Sequence, residues 1–169
     1  DTFLFAFIPS RTNETERIDK MKIAMGCDHA GLHLKDQVKA HLTELGYEIT
    51  DCGTYDTASC HYPLFAKKVT TEVIGGRADR GILICGTGVG MSIAANKVKG
   101  IRAAVVSDCF TAKAVRMHND ANILCMGERV TGPGLACLIA QLFAETEFEG
   151  GRHQIRLDMI TDIENEQNR

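Results

Sequence analysis

The sequence predicts a single doubly wound, three-layer α/β domain. It should be Rossmann-like, with a five-stranded, mainly parallel sheet and a C-terminal helix. Three observations carry the expectation. From Met21 onward, short apolar segments alternate five times with longer amphipathic ones, and such alternation builds parallel sheets from βαβ units. The strand candidates, Ile82–Cys85 among them, are apolar throughout rather than every second residue, which suits strands covered on both faces. The polar residues with chemical character come directly after the strand candidates. Right-handed crossovers gather those βα loops on one edge of the sheet, where ligands bind.

The elements read in order. Lys22–Cys27 is the first strand and ends in Asp28-His29-Ala30-Gly31. Leu32, Leu34, Val38, Leu42 and Leu45 keep helical spacing, and Gly46 closes that helix. Tyr47–Cys52 is the second strand, and a polar loop over 53–62 leads to Pro63, a good first helical residue. The helix carries Leu64, Val69 and Val73 and stops at Gly75-Gly76. Ile82–Cys85 is the third strand, with a helix to about Val98. Ile101–Ser107 is the fourth, with a helix over about Phe110–Met117. Ile123–Met126 is the fifth, and Pro133 opens a long apolar helix to about Glu145. After Glu149-Gly150-Gly151, a last helix carries Ile155, Met159, Ile160 and Ile163.

Composition bounds the function. The 169 residues suit one domain, and a net charge of −3 leaves no basic footprint for nucleic acid or an anionic membrane. The seven cysteines are odd in number and form no C-x-x-C. That pattern suits reduced, mostly buried thiols in the cytoplasm, not a disulfide framework or a zinc site. No apolar run approaches the ~20 residues of a membrane span. Residues 1–20 read as an extension or disordered tail ahead of the domain at 21–169. Phe3–Ile8 is apolar but short, and no basic region precedes it as in a signal peptide.

The chemistry concentrates at Cys85-Gly86-Thr87-Gly88-Val89-Gly90. Alternating glycines let a backbone approach a ligand closely, and a new helix offers unpaired N–H groups. A cysteine at a helix start is biased toward thiolate, the form that acts as base or nucleophile. The same segment also suits a structural βα turn with a buried cysteine. It is not a dinucleotide fingerprint, because the third glycine would fall at Met91 and the turn comes after the third strand. No P-loop and no G-x-S-x-G elbow is present. Asp28-His29 suits either an Asx turn with a helix cap or a site on the edge shared with Cys85. His118 suits either a dipole-stabilised helix end or proton transfer near neutral pH. Arg152 and Arg156 lie four apart, so both can face one anion or simply face solvent, and Arg129 is a third cation.

Taken in order, Gly26–Gly31, Ile84–Gly90, Ser92–Lys97, His118–Asn122 and Gly150–Arg156 resemble type B ribose-5-phosphate isomerase, from Met21 to about Glu166. The resemblance implies a cofactor-free, metal-free aldose–ketose isomerase acting on ribose 5-phosphate and ribulose 5-phosphate. It implies a homodimer, sometimes a tetramer, with sites between subunits. By matching position, Cys85 is the base at C2, and Thr87 with the amides of Gly86, Gly88, Val89 and Gly90 holds the enediolate. His118 helps open the ring, with Asn119 beside it. Asp28 contacts sugar hydroxyls. His29, Arg129, Arg152 and Arg156 bind the phosphate or adjacent sugar. One departure stands out: Cys60-His61-Tyr62-Pro63 replaces the Asp-Tyr-Pro common in ribose isomerases. It is similar to one subunit of galactose-6-phosphate isomerase and keeps a hexose 6-phosphate, allose or galactose 6-phosphate, as the alternative substrate. A non-catalytic sugar-phosphate-binding subunit is the third reading. The joint presence of Cys85, Thr87 and His118 disfavours it.

Overall fold

The computed structural model describes residues 20–166. The extension expected over residues 1–20 therefore lies, apart from Lys20, outside the described residues. The chain alternates β1 (Lys22–Cys27), α1 (Leu32–Glu44), β2 (Glu48–Asp51), α2 (Tyr62–Ile74), β3 (Arg80–Cys85), α3 (Val89–Ala95), β4 (Ala103–Val105), α4 (Cys109–Asn119), β5 (Ile123–Gly127) and α5 (Pro133–Glu145). It ends in α6 (Arg152–Glu166). All pairings are parallel, in the order β2-β1-β3-β5-β4.

Side-chain alternation along the central strands makes two cores. Ile23, Met25, Ile82, Ile84, Leu124 and Met126 face α1, α4 and α5, where Val38, Ala112 and Phe143 meet them. Ala24, Leu83, Cys85, Ile123 and Cys125 face α2 and α3, where Val69 and Met91 meet them. The strands are continuously apolar because each face is covered. The sheet thus lies between two helical layers, as the sequence predicts.

Several elements differ in extent from expectation. The fourth strand shrinks to three residues at the sheet edge, and side chains take over its N-terminal end. Asn122 accepts from the Arg102 amide at 2.8 Å and donates to the Gly100 carbonyl at 2.9 Å. Asn96 accepts from the Ala103 amide and donates to the Ala103 carbonyl, both at 2.8 Å. Leu64 points to solvent at 59% exposure, because Ala66, Val69 and Thr70 form the buried stripe of α2. On α6 only His153 and Leu157 are buried, and Ile155, Met159, Ile160 and Ile163 are exposed. None of the described helices is long and apolar enough to cross a membrane.

The chain leaves β1 for β2 on one side and leaves β3 for β4 on the other. The loops after β1 and β3 therefore diverge, which opens a crevice at their C-terminal ends.

Candidate active site

Cys85 ends β3 at 6% exposure. Its Sγ accepts a hydrogen bond from the Gly88 amide at 3.1 Å. Gly88 takes φ +81, and a Cβ there would stand 3.0 Å from the Met126 backbone. The residue must be glycine on both counts, since left-handed backbone and close approach each exclude a side chain. Two amides of the turn are already engaged: that of Gly88 with the thiol, and that of Val89 with Thr87 Oγ1 at 3.4 Å. Thr87 itself is exposed.

Asp28 sits beside this turn. Its amide donates to the Ile84 carbonyl at 3.3 Å, and its Oδ1 accepts from the Ala30 amide at 2.9 Å. The expected Asx turn and the shared edge therefore coexist. His29 Nδ1 accepts from the Cys60 amide at 3.3 Å, with Cys60 Sγ at 3.9 Å. Arg129 comes just after β5, donates its amide to the Gly86 carbonyl at 3.1 Å, and lays its side chain over Gly86. Asp28, His29, Cys85, Gly86, Thr87, Gly88, Val89, Gly90 and Arg129 thus share one edge.

His118, Asn119, Arg152 and Arg156 do not join them. α4 starts at the C-terminal edge of β4 and runs back, so its last residues, His118 and Asn119, reach the opposite edge. Asn122, just beyond, bonds Arg102 and Gly81 at the starts of β4 and β3. An eleven-residue helix spans about 16 Å. Arg102 and Arg116 hold the turn by bonding both carboxylate oxygens of Asp120, each at 2.8 Å. The Glu149 amide donates to the Met117 carbonyl at 3.1 Å, which brings the start of α6 against the His118 turn. There the His118 and His153 rings stack at 4.5 Å with an angle of 16°. Burial, then the neighbouring His118 and Arg152, hold the His153 imidazole below its ordinary value, while Glu149 acts the other way. Arg152 and Arg156 are exposed at this edge.

Sequence reasoning passed over four neighbours of these segments. Glu128 accepts from the Leu34 amide at 3.0 Å. It serves α1, whose Gly31 start has no side-chain cap and no acid in the first turn. That gap in the α1 sequence was the available signal. The Tyr62 ring lies where a Cβ on Gly90 would come within 3.0 Å. Glu149 precedes, and His153 lies within, the Gly150–Arg156 motif, which was read only for its arginines. Asp108, which falls where a ribose-binding acid would, caps α4 instead, accepting from the Thr111 amide and hydroxyl at 2.7 Å each.

Comparison with known proteins bears on this arrangement. Residues 23–160 match the family described as Ribose/Galactose Isomerase. The chain is 51% identical to ribose-5-phosphate isomerase B of Escherichia coli over 147 residues, covering 87% of this chain and 99% of the relative. It is similar in structure to ribose-5-phosphate isomerase B of Clostridium thermocellum, with TM-score 0.86 and 50% identity, covering 87% and 99% of the two chains. It is also similar to ribose-5-phosphate isomerase B of Mycoplasma genitalium with bound ribulose-5-phosphate, with TM-score 0.82 and 42% identity, covering 86% and 97%.

Proposed function

Because the chain belongs to the ribose/galactose isomerase family, we propose that it interconverts ribose 5-phosphate and ribulose 5-phosphate through an enediolate, without a cofactor, in the cytoplasm. The observation that carries the reading is Cys85, buried at the end of β3 with the Gly88 amide 3.1 Å from its sulfur.

A thiolate there takes the proton from C2 of the open-chain aldose. The C–H electron pair becomes the C1–C2 double bond, and the carbonyl oxygen at C1 becomes the oxyanion. The Thr87 hydroxyl and the turn amides not already engaged face that charge, which is where pre-placed donors lower a barrier. Returning the proton to C1 and passing the O2 hydroxyl proton to the C1 oxyanion completes the ketose. Asp28 orients the sugar hydroxyls. Anchoring the phosphate supplies binding energy remote from the reacting carbons.

Ring opening falls to His118, with Asn119 beside it. Within one chain these lie across the domain from Cys85, about 16 Å of helix away. A pentose phosphate is shorter than that. A complete centre therefore draws Cys85, Thr87, Asp28, His29 and Arg129 from one copy and His118, Asn119, Arg152 and Arg156 from another, in a homodimer. The exposed apolar face of α6 adjoins a groove of about 520 Å³ lined by Ile101, Val115 and Leu157, and offers surface for that contact.

The test is turnover of ribose 5-phosphate, allose 6-phosphate and galactose 6-phosphate by the purified protein and by Cys85→Ala. Ribose 5-phosphate should be preferred, and Cys85→Ala should be folded and inactive. Remixing Cys85→Ala with His118→Asn should restore up to about a quarter of the parent activity, since half the dimers are mixed and each then has one intact centre. A folded, active Cys85→Ala refutes the base. Absence of restoration from mixed dimers refutes the split centre.

A further inference from the structure

We propose that His118, Glu149 and His153 form a site for a divalent transition-metal cation of zinc type, and that its occupation inhibits the isomerase by withdrawing His118. The inhibitory half rests on the function proposed above, and the site itself does not.

One nitrogen and one carboxylate oxygen already stand at ligand spacing. His153 Nε2 is 3.5 Å from Glu149 Oε2, and His118 Nε2 is 4.0 Å from the same oxygen. All three ligand atoms lie within 4.8 Å of one another. Zinc bonds of about 2.0–2.2 Å in a tetrahedron place neighbouring ligand atoms about 3.3–3.5 Å apart. Glu149 and His153 meet that spacing as they stand. His118 must close by about half an ångström on Glu149 and by up to about 1.4 Å on His153, and turn out of its stack, so that both ring planes pass through the cation. It is free to do so, because its side chain is 41% exposed.

The second observation is on His153. It is 7% exposed, and its Nε2 has no hydrogen-bond partner. A buried polar atom without a partner needs an explanation. With Nε2 unprotonated, as in a metal-ligating imidazole, its lone pair faces the Glu149 carboxylate and is repelled, and a cation between them satisfies both. Two imidazoles and a carboxylate are also the ligand set that suits zinc, leaving a fourth position open.

The backbone builds the cluster from three places. The Glu149 amide is tied to the Met117 carbonyl, one residue before His118. Gly150 and Gly151 turn with φ +64 and +56. The His153 amide then bonds the Gly150 carbonyl at 3.0 Å, which returns His153 over Glu149 four residues on. None of the three ligands is a cysteine, so the site is spectroscopically separable from the seven thiols.

The experiment is titration of the full chain with cobalt(II) chloride and then zinc displacement, with turnover measured in parallel. Binding should give visible ligand-field bands without a thiolate-to-cobalt charge-transfer band. Zinc should inhibit, and a chelator should reverse it. Glu149→Gln, at an exposed position with no part in the reaction, should keep metal-free turnover. Both it and His153→Gln should raise the zinc needed for half-inhibition and for cobalt displacement at least about tenfold, as loss of a ligand must exceed loss of a supporting contact. A thiolate band that disappears in Cys85→Ala, or equal zinc affinity in the parent and in Glu149→Gln, overturns the site. The cobalt spectrum uses no substrate, so it reports the site even if the protein does not isomerise ribose 5-phosphate.

Discussion

Gly31→Ala should damage turnover far more than folding. Gly31 precedes α1 with φ −126, a conformation alanine adopts without strain, so the effect is purely one of space. An added Cβ would stand 2.6 Å from both the carbonyl carbon and oxygen of Ile84 and 2.9 Å from the Cys85 amide nitrogen. Carbon contacts settle at about 3.5–4.0 Å, so this peptide must move by about 1 Å. No flexible side chain can yield instead, because every atom met is backbone. Overpacking of that kind costs about 1–3 kcal/mol, or roughly 2–12 °C in Tm for a domain of this size. The same peptide carries Cys85. A misplacement of about 1 Å at a reacting group can cost about 100-fold. We expect kcat on ribose 5-phosphate to fall by about 100-fold, with a smaller change in KM because Arg129, Arg152 and Arg156 lie on other segments. The matched control is Gly134→Ala in α5, where a Cβ meets nothing within 4 Å. That change should leave kcat alone and stabilise by about 0.4–1 kcal/mol. Steady-state kinetics and thermal unfolding on both variants check the reasoning. A Gly31→Ala enzyme within about threefold of the parent kcat refutes the claim that this contact sets the position of Cys85.

The same geometry sets other outcomes. His118→Asn should slow turnover of the cyclic sugar more than that of an open-chain substrate, and equal losses would remove it from ring opening. Arg156→Ala should raise KM for ribose 5-phosphate at least tenfold and weaken inhibition by inorganic phosphate, because losing a desolvated bidentate contact costs about 2–5 kcal/mol against under about 1 for a solvated one. Unchanged KM would return that side chain to solvent. Stability should fall at both ends of the pH scale. Burial disfavours the Asp51 carboxylate, but hydrogen bonds from Lys39, Lys35 and the Gly53 amide outweigh it and hold the group below its ordinary value. Its contribution is complete above the unfolded value of about 3.9 and is lost as pH falls through the lower folded value. Burial pushes the Cys27 thiol up to about 12. Its contribution is complete below an unfolded value of about 9 and is lost as pH rises toward 12. Tm measured across this range should show Asp51→Asn flattening the acid limb and Cys27→Ala the alkaline one. Asp51→Asn should also cost up to about 3 kcal/mol near neutrality, since buried Lys35 loses its closer, less exposed charge partner and keeps the exposed Asp36 at 3.3 Å.

The order of elements and the edge bearing Cys85 are legible in the sequence, because both arise from local pattern. Ile82 to Cys85 is too short and too apolar for a surface helix, and Gly86, Gly88 and Gly90 punctuate the turn that leads into α3. The position of His118 is not legible in that way. Its distance from Cys85 depends on α4 running antiparallel to the strands, a three-dimensional consequence of topology that leaves no local signal. The swap of β4 and β5 in the sheet is hidden for the same reason. Lys35 is hidden for another: it occupies an ordinary surface slot in the α1 pattern. Asp51, sixteen residues on, the Thr54 carbonyl and the adjacent Asp36 carboxylate at 3.3 Å make a fully buried ammonium tolerable. The His118–Glu149–His153 cluster joins two segments thirty residues apart, and proximity of that kind appears only once the chain is folded.

The carboxamide of Asn96 has a consequence for how the protein behaves when crowded. The rim of an open sheet presents unpaired amides and carbonyls on which a foreign strand can template, the route to fibres and gels. At the β4 rim the outward amide and carbonyl of Ala103 are both capped by that one side chain. With a strand only three residues long, little ladder is left for an intruder to read. At that rim Asn96 acts as a terminator of the ladder.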